Sequence, residues 1–288
     1  MKSRVGQKRP AISRPATSGD WDTVKTIFYV LAIALIVRTL FVQPFTIPSG
    51  SEEPNLYRGD YIIVTKWSYG YSRHSILFSP PLFKGRIFFH PPKRGDIVVF
   101  KLPSDGRTDY IKRLIGLPGD RIQERHGQLY VNGVPTPEQT VRHLWTHDRV
   151  GADGEPLMEQ ATIERETNPA GRHYLIQVHG GNEPADNTGV YVVPPHCYFM
   201  MGDNRDNSAD SRFDPGVSPN DRKLGGCGWD SRLDPGSTYA VGVGFVPEEN
   251  LVGRARLVLI SWNENVSLWK PWTWIMDLRP SRFFLWLR

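Results

Sequence analysis

The chain has 288 residues, with 24 prolines, 27 glycines and a formal net charge of +5. That length holds one large or two modest domains with an ample core, and the proline and glycine content favours short strands and turns over long helices. A nucleic-acid-binding protein is disfavoured, because the excess charge is small and its basic residues are scattered without interleaved aromatics.

The first 25 residues carry Lys2, Arg4, Lys8, Arg9, Arg14 and Lys25 against only Asp20 and Asp22. This reads as a tail kept in the cytoplasm by the positive-inside rule. Residues 26–42, TIFYVLAIALIVRTLFV, are apolar apart from Arg38 and two threonines. As a helix they span roughly 25 Å, enough for a short transmembrane anchor, and Arg38 near the outer end can snorkel to the headgroups. A cleaved signal peptide, with Ile27 to Val37 as its apolar region, is the rival. It needs a small-residue cleavage site, and the following F-V-Q-P-F-T-I-P offers none. Residues 43–288 are therefore expected outside the cytoplasm.

Soon after the anchor comes Ile47-Pro48-Ser49-Gly50-Ser51-Glu52-Glu53-Pro54-Asn55-Leu56, a loop by its Pro, Gly and Ser content. Beyond it the pattern is short and β-rich: Tyr61 to Lys66, Asp96 to Lys101, Tyr110 to Gly116, Tyr174 to His179, Tyr191 to Val193, Cys197 to Met201, Tyr239 to Val246 and Arg254 to Ile260 are expected strands. Asn132-Gly133 marks a hairpin within Gln128 to Val134. Residues 132–189 are more polar and irregular, and read as a peripheral, cap-like excursion. Within it, His143 and His147 resemble half of a zinc site, but the intervening L-W-T lacks the expected acid and a solvated loop is the simpler reading. Asp210-Ser211-Arg212-Phe213-Asp214-Pro215-Gly216 recurs as Asp230-Ser231-Arg232-Leu233-Asp234-Pro235-Gly236, a duplicated loop too brief for a solenoid. Cys197 reads as a buried strand residue and Cys227 as part of a Gly-rich loop, and the two are expected to be unbridged. The aromatic tail 269–288 is too short and Pro-broken to span a membrane; its Trp and Arg residues suit a membrane interface.

A serine hydroxyl becomes a nucleophile only when a base takes its proton. No histidine sits in a compact polar motif. Lys112, in Asp109-Tyr110-Ile111-Lys112-Arg113-Leu114, shares a strand face with Tyr110 and Leu114. Burial there would disfavour the ammonium and leave the free amine that a general base needs. On periodicity alone, a strand lysine with its head in water is the simpler reading. Gly202-Asp203-Asn204-Arg205-Asp206-Asn207-Ser208-Ala209-Asp210-Ser211-Arg212 fails as a calcium loop, because Arg205 falls where an oxygen ligand belongs. Asp210 and Arg212 read as a pair that stiffens the loop.

Four ordered blocks bring these pieces together: Pro48 to Leu56, Arg94 to Phe100, Asp109 to Asp120 and Gly202 to Arg212. In this order, behind an anchor, they resemble bacterial type I signal peptidase, the leader peptidase that cleaves signal peptides from exported proteins. The resemblance implies a Ser/Lys dyad, with Ser51 as nucleophile and Lys112 as general base. It places Ser49 at the oxyanion, Ser208 as the group orienting the base, and Asp210 and Arg212 as its support. Ile47, Leu56, Tyr110 and Ile111 would line shallow pockets selecting Ala-x-Ala sites. The implied fold is mostly β, an antiparallel catalytic core with a smaller β-rich cap, behind one N-terminal transmembrane helix. The implied setting is a single-pass inner-membrane protein with its N-terminus in the cytoplasm and its catalytic domain periplasmic. Its partners would be signal peptides of exported preproteins and the phospholipid membrane, with no cofactor, metal or nucleic acid.

Two departures stand out. The family usually has Met after the nucleophile; Glu52 stands here, and a carboxylate near the dyad would favour the charged lysine. Glu52 could face solvent or substrate. It motivates a second reading, a catalytically weak relative acting as a membrane-anchored binding module; a third is a processing peptidase with few substrates. An insertion of about residues 214–242 also separates Phe213 from Gly244-Phe245-Val246-Pro247 and is expected to project from the surface.

Overall fold

The computed structural model describes residues 19–150, 156–180, 183–218, 221, 224–235, 241–263, 266 and 272–287. The basic stretch 1–18, Tyr239 and Ala240, Gly236 of the repeat, and residues 269–271 and 288 of the aromatic tail lie outside them.

The apolar run forms helix α1 (Gly19–Leu40). From Trp21 to Leu40 it is long and apolar enough to cross a membrane, and none of it is buried by the rest of the chain. The helix starts earlier and ends sooner than the sequence pattern suggested. Val42 opens strand β1 (Val42–Thr46), paired to Thr65 of β2 (Asp60–Thr65). Apolarity runs unbroken through the helix end, so it hides the boundary. Pro44, which cannot donate to a ladder, is tolerated because β1 is an edge strand.

The body is mostly antiparallel β. After β3 (Ile97–Lys101) and β4 (Asp109–Gly116) come β5 (Arg121–Arg125), β6 (Gln128–Val131) and β7 (Val134–Pro135), then a long hairpin of β8 (Glu138–Val150) and β9 (Pro156–Thr167). There follow β10 (His173–Val178), β11 (Tyr191–Val192), β12 (Cys197–Met201), β13 (Val246–Pro247), β14 (Leu251–Ser261) and β15 (Leu285–Trp286). The main sheet runs β1-β2-β14-β3-β4-β12-β13, with β15 added on β14; β10-β9-β8 and β11-β5-β6-β7 form two smaller sheets.

Strand alternation explains why the central strands are buried on both faces. On β3, Val98 and Phe100 enter one apolar cluster, with Leu114, Tyr198 and Met200, while Ile97 and Val99 enter another, with Ile62, Val64 and Val258. On β12, Cys197, Phe199 and Met201 face a third cluster with Ile122, Tyr191 and Trp229.

Four expectations are corrected. The solvated-loop reading of His143 and His147 gives way to a strand: within an excursion 132–189 that carries β8 to β10, His143 lies on β8 with its Nδ1 3.0 Å from Thr162 Oγ1. His147 is on the same strand, and no group of three metal-ligating side chains occurs among the described residues. In the stretch expected as a strand from Tyr239 to Val246, Val241 to Phe245 are not β; only Val246 pairs. The described middle of the insertion folds inward rather than projecting: Leu224, Cys227 and Trp229 are buried, the last two in the cluster beneath β12. Cys197 and Cys227 are bridged, with Cα atoms 5.8 Å apart, since this folded-back segment carries Cys227 to the start of β12.

Candidate active site

The serine loop hangs between fixed points. The β1–β2 ladder continues through Ile47 N–H to Asp60 O (2.9 Å) and Gly59 N–H to Ile47 O (3.0 Å). Asp60, fully buried, pairs with Arg282 at 2.5 Å and accepts the Tyr57 N–H at 2.9 Å. On the far side of the loop, Asn204 donates its backbone N–H to Ser51 O (3.1 Å) and its side-chain amide to Gly50 O (3.3 Å).

These ties hold Ser51 over the start of β4. Lys112 Nζ is 2.5 Å from Ser51 Oγ, in hydrogen-bond contact, and the lysine is buried. The alternation on β4 is as the sequence reads: Tyr110 packs on the cluster containing Leu114, and Ile111 on the cluster across the sheet. The exposed Ser49 hydroxyl is 3.4 Å from Ser51 Oγ. An alkoxide forming at Ser51 would thus have an amine to take its proton and a second hydroxyl nearby, the elements of acyl-transfer chemistry.

Glu52 does not face solvent. It is 0 % exposed, and Oε1 is 3.7 Å from Lys112 Nζ. Neither carboxyl oxygen accepts a hydrogen bond among the described residues. A buried carboxylate without donors is strongly disfavoured. Burial first, and then the field of Asp203, push the Glu52 carboxyl well above the usual carboxylate range, outweighing the pull of Lys112 and Arg113. That rise favours the neutral carboxyl beside the Lys112 amine.

Behind Lys112 lies a scaffold of buried ion pairs that the sequence pattern missed. Arg113 forks onto Asp203 (Nε–Oδ1 2.6 Å, Nη2–Oδ2 2.7 Å) and stacks 4.1 Å from the Tyr174 ring centroid. Burial opposes the Arg113 charge, but Asp203 overrides it and raises the guanidinium's affinity for its proton. Asn55, next to the serine loop, donates to the same Asp203 at 2.7 Å. Arg205 pairs with Glu166 of β9 at 2.7 Å, and Glu166 also accepts the Tyr174 hydroxyl. The only signal for these pairs was the charge density of the Gly202 to Arg212 block; Glu166 lies in a polar stretch with none.

Asp210 and Arg212 are paired and buried (Nε–Oδ1 and Nη2–Oδ2 both 2.9 Å). Burial alone would raise the Asp210 carboxyl, but Arg212 and two backbone N–H groups bring it below its ordinary value. Ser208 is buried, and its hydroxyl has no hydrogen-bond partner among the described residues. It packs on Gly202: a Cβ there would fall 2.2 Å from Ser208 Oγ and 2.5 Å from Ser51 O. Among the four expected pocket residues, Tyr110 and Ile111 are half-buried at the site end of β4, whereas Ile47 and Leu56 are core residues.

A family model described as "Signal peptidase, peptidase S26" matches residues 20–262. A signal peptidase I of Rickettsia typhi is 38 % identical over 285 residues, covering 91 % of this chain and 93 % of that protein. One from Rickettsia canadensis is 35 % identical, covering 93 % and 92 %. A solved signal peptidase I of Enterococcus faecalis is 25 % identical, covering 57 % of this chain and 97 % of its own, with a TM-score of 0.27, too low to carry an argument. The chain belongs to the S26 signal peptidase family and is a hydrolase of the signal peptidase I type.

Proposed function

We propose that this protein is a membrane-anchored serine endopeptidase that removes signal peptides from exported proteins after small residues of the Ala-x-Ala type. The observation that carries the proposal is the 2.5 Å contact between Lys112 Nζ and Ser51 Oγ, made by a buried lysine. The Lys112 amine takes the Ser51 proton as Oγ attacks the scissile carbonyl carbon. The oxyanion accepts hydrogen bonds from the Ser51 backbone N–H and the Ser49 hydroxyl, a donor of this kind contributing roughly 3–4 kcal/mol. The Lys112 ammonium then protonates the departing amine, which is the new N-terminus of the exported protein. Water, deprotonated by the same amine, hydrolyses the acyl-enzyme and restores Ser51.

Ser208 and the Asp210–Arg212 pair support this cycle by packing the loop behind Ser51. Tyr110 and Ile111 flank the amine with apolar surface suited to small side chains. α1 anchors the protein in the inner membrane with its N-terminus in the cytoplasm, residues 43–288 form the periplasmic peptidase domain, and Trp272, Trp274 and Trp286, all exposed, rest at the interface. The Cys197–Cys227 bridge supports an oxidising compartment. The burial of Glu52, which raises its pKa, supports the active enzyme over a catalytically weak relative.

The test is cleavage of an exported precursor by the full chain in proteoliposomes. Wild type is expected to release the mature protein, and Ser51→Ala and Lys112→Ala to release none. Undiminished cleavage by either variant would overturn the dyad.

A further inference from the structure

A second cleft, of about 500 Å³, opens where α1 meets the body, away from the dyad. Arg38 from the last turn of α1, Lys66, Lys101 and Arg107 line it together with a single carboxylate, Asp109. That carboxylate is already taken, pairing with Lys101 at 2.9 Å. The neighbouring Asp105 is occupied by the backbone N–H groups of Arg107 and Thr108. Lys66 is buried and donates to the neutral Ser75 carbonyl at 2.6 Å. Burial first, and then the like charge of Arg38, push its amine down to about 8; Asp109 opposes the shift and Lys101 adds to it. Four cationic side chains therefore converge on one open space with too little negative charge to balance them. Such a site is completed by an anion.

The cleft's outer wall is apolar. Ile76, Leu77 and Phe78 line it, and the loop they begin continues to Phe89. Phe78 is 92 %, Phe88 76 % and Leu82 71 % exposed. This loop is held in place. Tyr71 and Ile87 exchange backbone hydrogen bonds (2.9 and 2.8 Å), and the Arg86 guanidinium donates to Gly70 O and Leu251 O, both at 2.8 Å. An apolar patch pinned outward in this way marks an interaction surface. Its level in the molecule is fixed by the end of α1: the Tyr71 hydroxyl donates to Leu40 O at 2.7 Å, and the Lys66 N–H to Phe41 O at 2.9 Å.

Cations beside an outward apolar loop, both tied to the end of a membrane-length helix, match one partner. We propose that the cleft binds the phosphate headgroup of an anionic phospholipid in the outer leaflet, with Phe78, Leu82 and Phe88 dipping among its acyl chains. The charge complementarity selects the headgroup and the apolar wall selects a lipid over a free anion. The inference rests on α1 being a membrane anchor.

The experiment uses the full chain with vesicles of phosphatidylcholine alone or mixed with phosphatidylglycerol, and reads binding of a fluorescent phosphatidylglycerol. Flotation with pure phosphatidylcholine vesicles reports the anchor separately; if the protein does not float, the anchor reading fails, and the lipid site falls with it. If it floats, wild type should prefer phosphatidylglycerol, and Lys101→Gln with Arg107→Glu should weaken that preference by about tenfold or more. Phe78→Ser, which leaves every charge in place, should weaken it as well. Cleavage of a short soluble peptide should be unchanged in these variants, which shows that they fold. Equal preference in wild type and both variants would overturn the proposal. So would inorganic phosphate displacing the labelled lipid at low millimolar concentration, since the cleft would then be a free-anion site.

Discussion

Replacing Glu52 by Gln isolates one quantity, the charge of the carboxyl beside Lys112, the proposed base, while keeping the side chain's shape. With Oε1 3.7 Å from Lys112 Nζ, an ionised Glu52 would stabilise the ammonium by about 4 kcal/mol at an effective dielectric constant near 20. That is about three pH units in the position of the acid limb of kcat/KM. A protonated Glu52 contributes almost nothing. The structure favours the protonated form, because the carboxyl is fully buried and neither oxygen has a hydrogen-bond donor among the described residues. The acid limb of Glu52→Gln, measured with a synthetic precursor peptide over a pH series, should therefore stay within about half a unit of wild type. The infrared spectrum at neutral pH should lose the carbonyl stretch of one protonated carboxyl. If the acid limb instead moved down by about three units, Glu52 would be an anion in the wild type and the reasoning from its burial would fail.

Gly202→Ala should abolish cleavage, since the added Cβ would meet Ser208 Oγ at 2.2 Å and Ser51 O at 2.5 Å; a melting curve close to wild type would assign the loss to the displaced serine loop. Removing the Cys197–Cys227 bridge by double Ser substitution should destabilise the domain by roughly 3–4 kcal/mol on the loop-closure argument for a separation of 30 residues, seen as a lower denaturant midpoint. His74 is pushed down to about 4, chiefly by burial and then by Arg73. The folded state thus keeps it neutral while the unfolded chain takes up a proton below about 6.5, so stability is full above that pH. As pH falls from about 6.5 to 4, about 3 kcal/mol should be lost, and Tm of His74→Gln should fall less steeply across that window.

The strands of the main sheet were legible because runs rich in Val, Ile, Tyr and Phe between turn residues suit strands buried on both faces, as Ile97 to Phe100 are. The membrane-length helix was legible from its unbroken apolarity. The β8–β9 hairpin was not, since exposed apolar residues such as Val141, Trp145 and Met158 sit among charges and two register shifts break the pattern. In the site, spacing could name Ser51 and Lys112, and only the resemblance promoted Lys112 above a solvated lysine. Turn residues have no periodicity, so the inward direction of Glu52 was invisible, and its charge state with it. The Arg113–Asp203 fork joins residues 90 apart, a separation at which a single sequence offers no pairing rule. The insertion misled for a related reason: a Gly-rich stretch reads as surface, whereas Leu224, Cys227 and Trp229, the last stacked on Tyr191 at 5.5 Å, carry it into the core.

The strut from Asn204 to the serine loop has a consequence for when the molecule becomes active. Gly50 and Asn204 are 154 residues apart, and Gln177 of β10 braces Asp203 and Arg205 on either side of Asn204 through backbone bonds of 2.8 and 2.9 Å. The serine is synthesised early, but it is gripped only after that much more chain has been made and docked. Contacts of such separation form late in folding. A ribosome-bound fragment ending before Gly202 would carry both Ser51 and Lys112 and still lack the brace that sets their distance. On the proposed dyad, the site would thus be armed by completion of the fold, a built-in delay between making Ser51 and being able to use it.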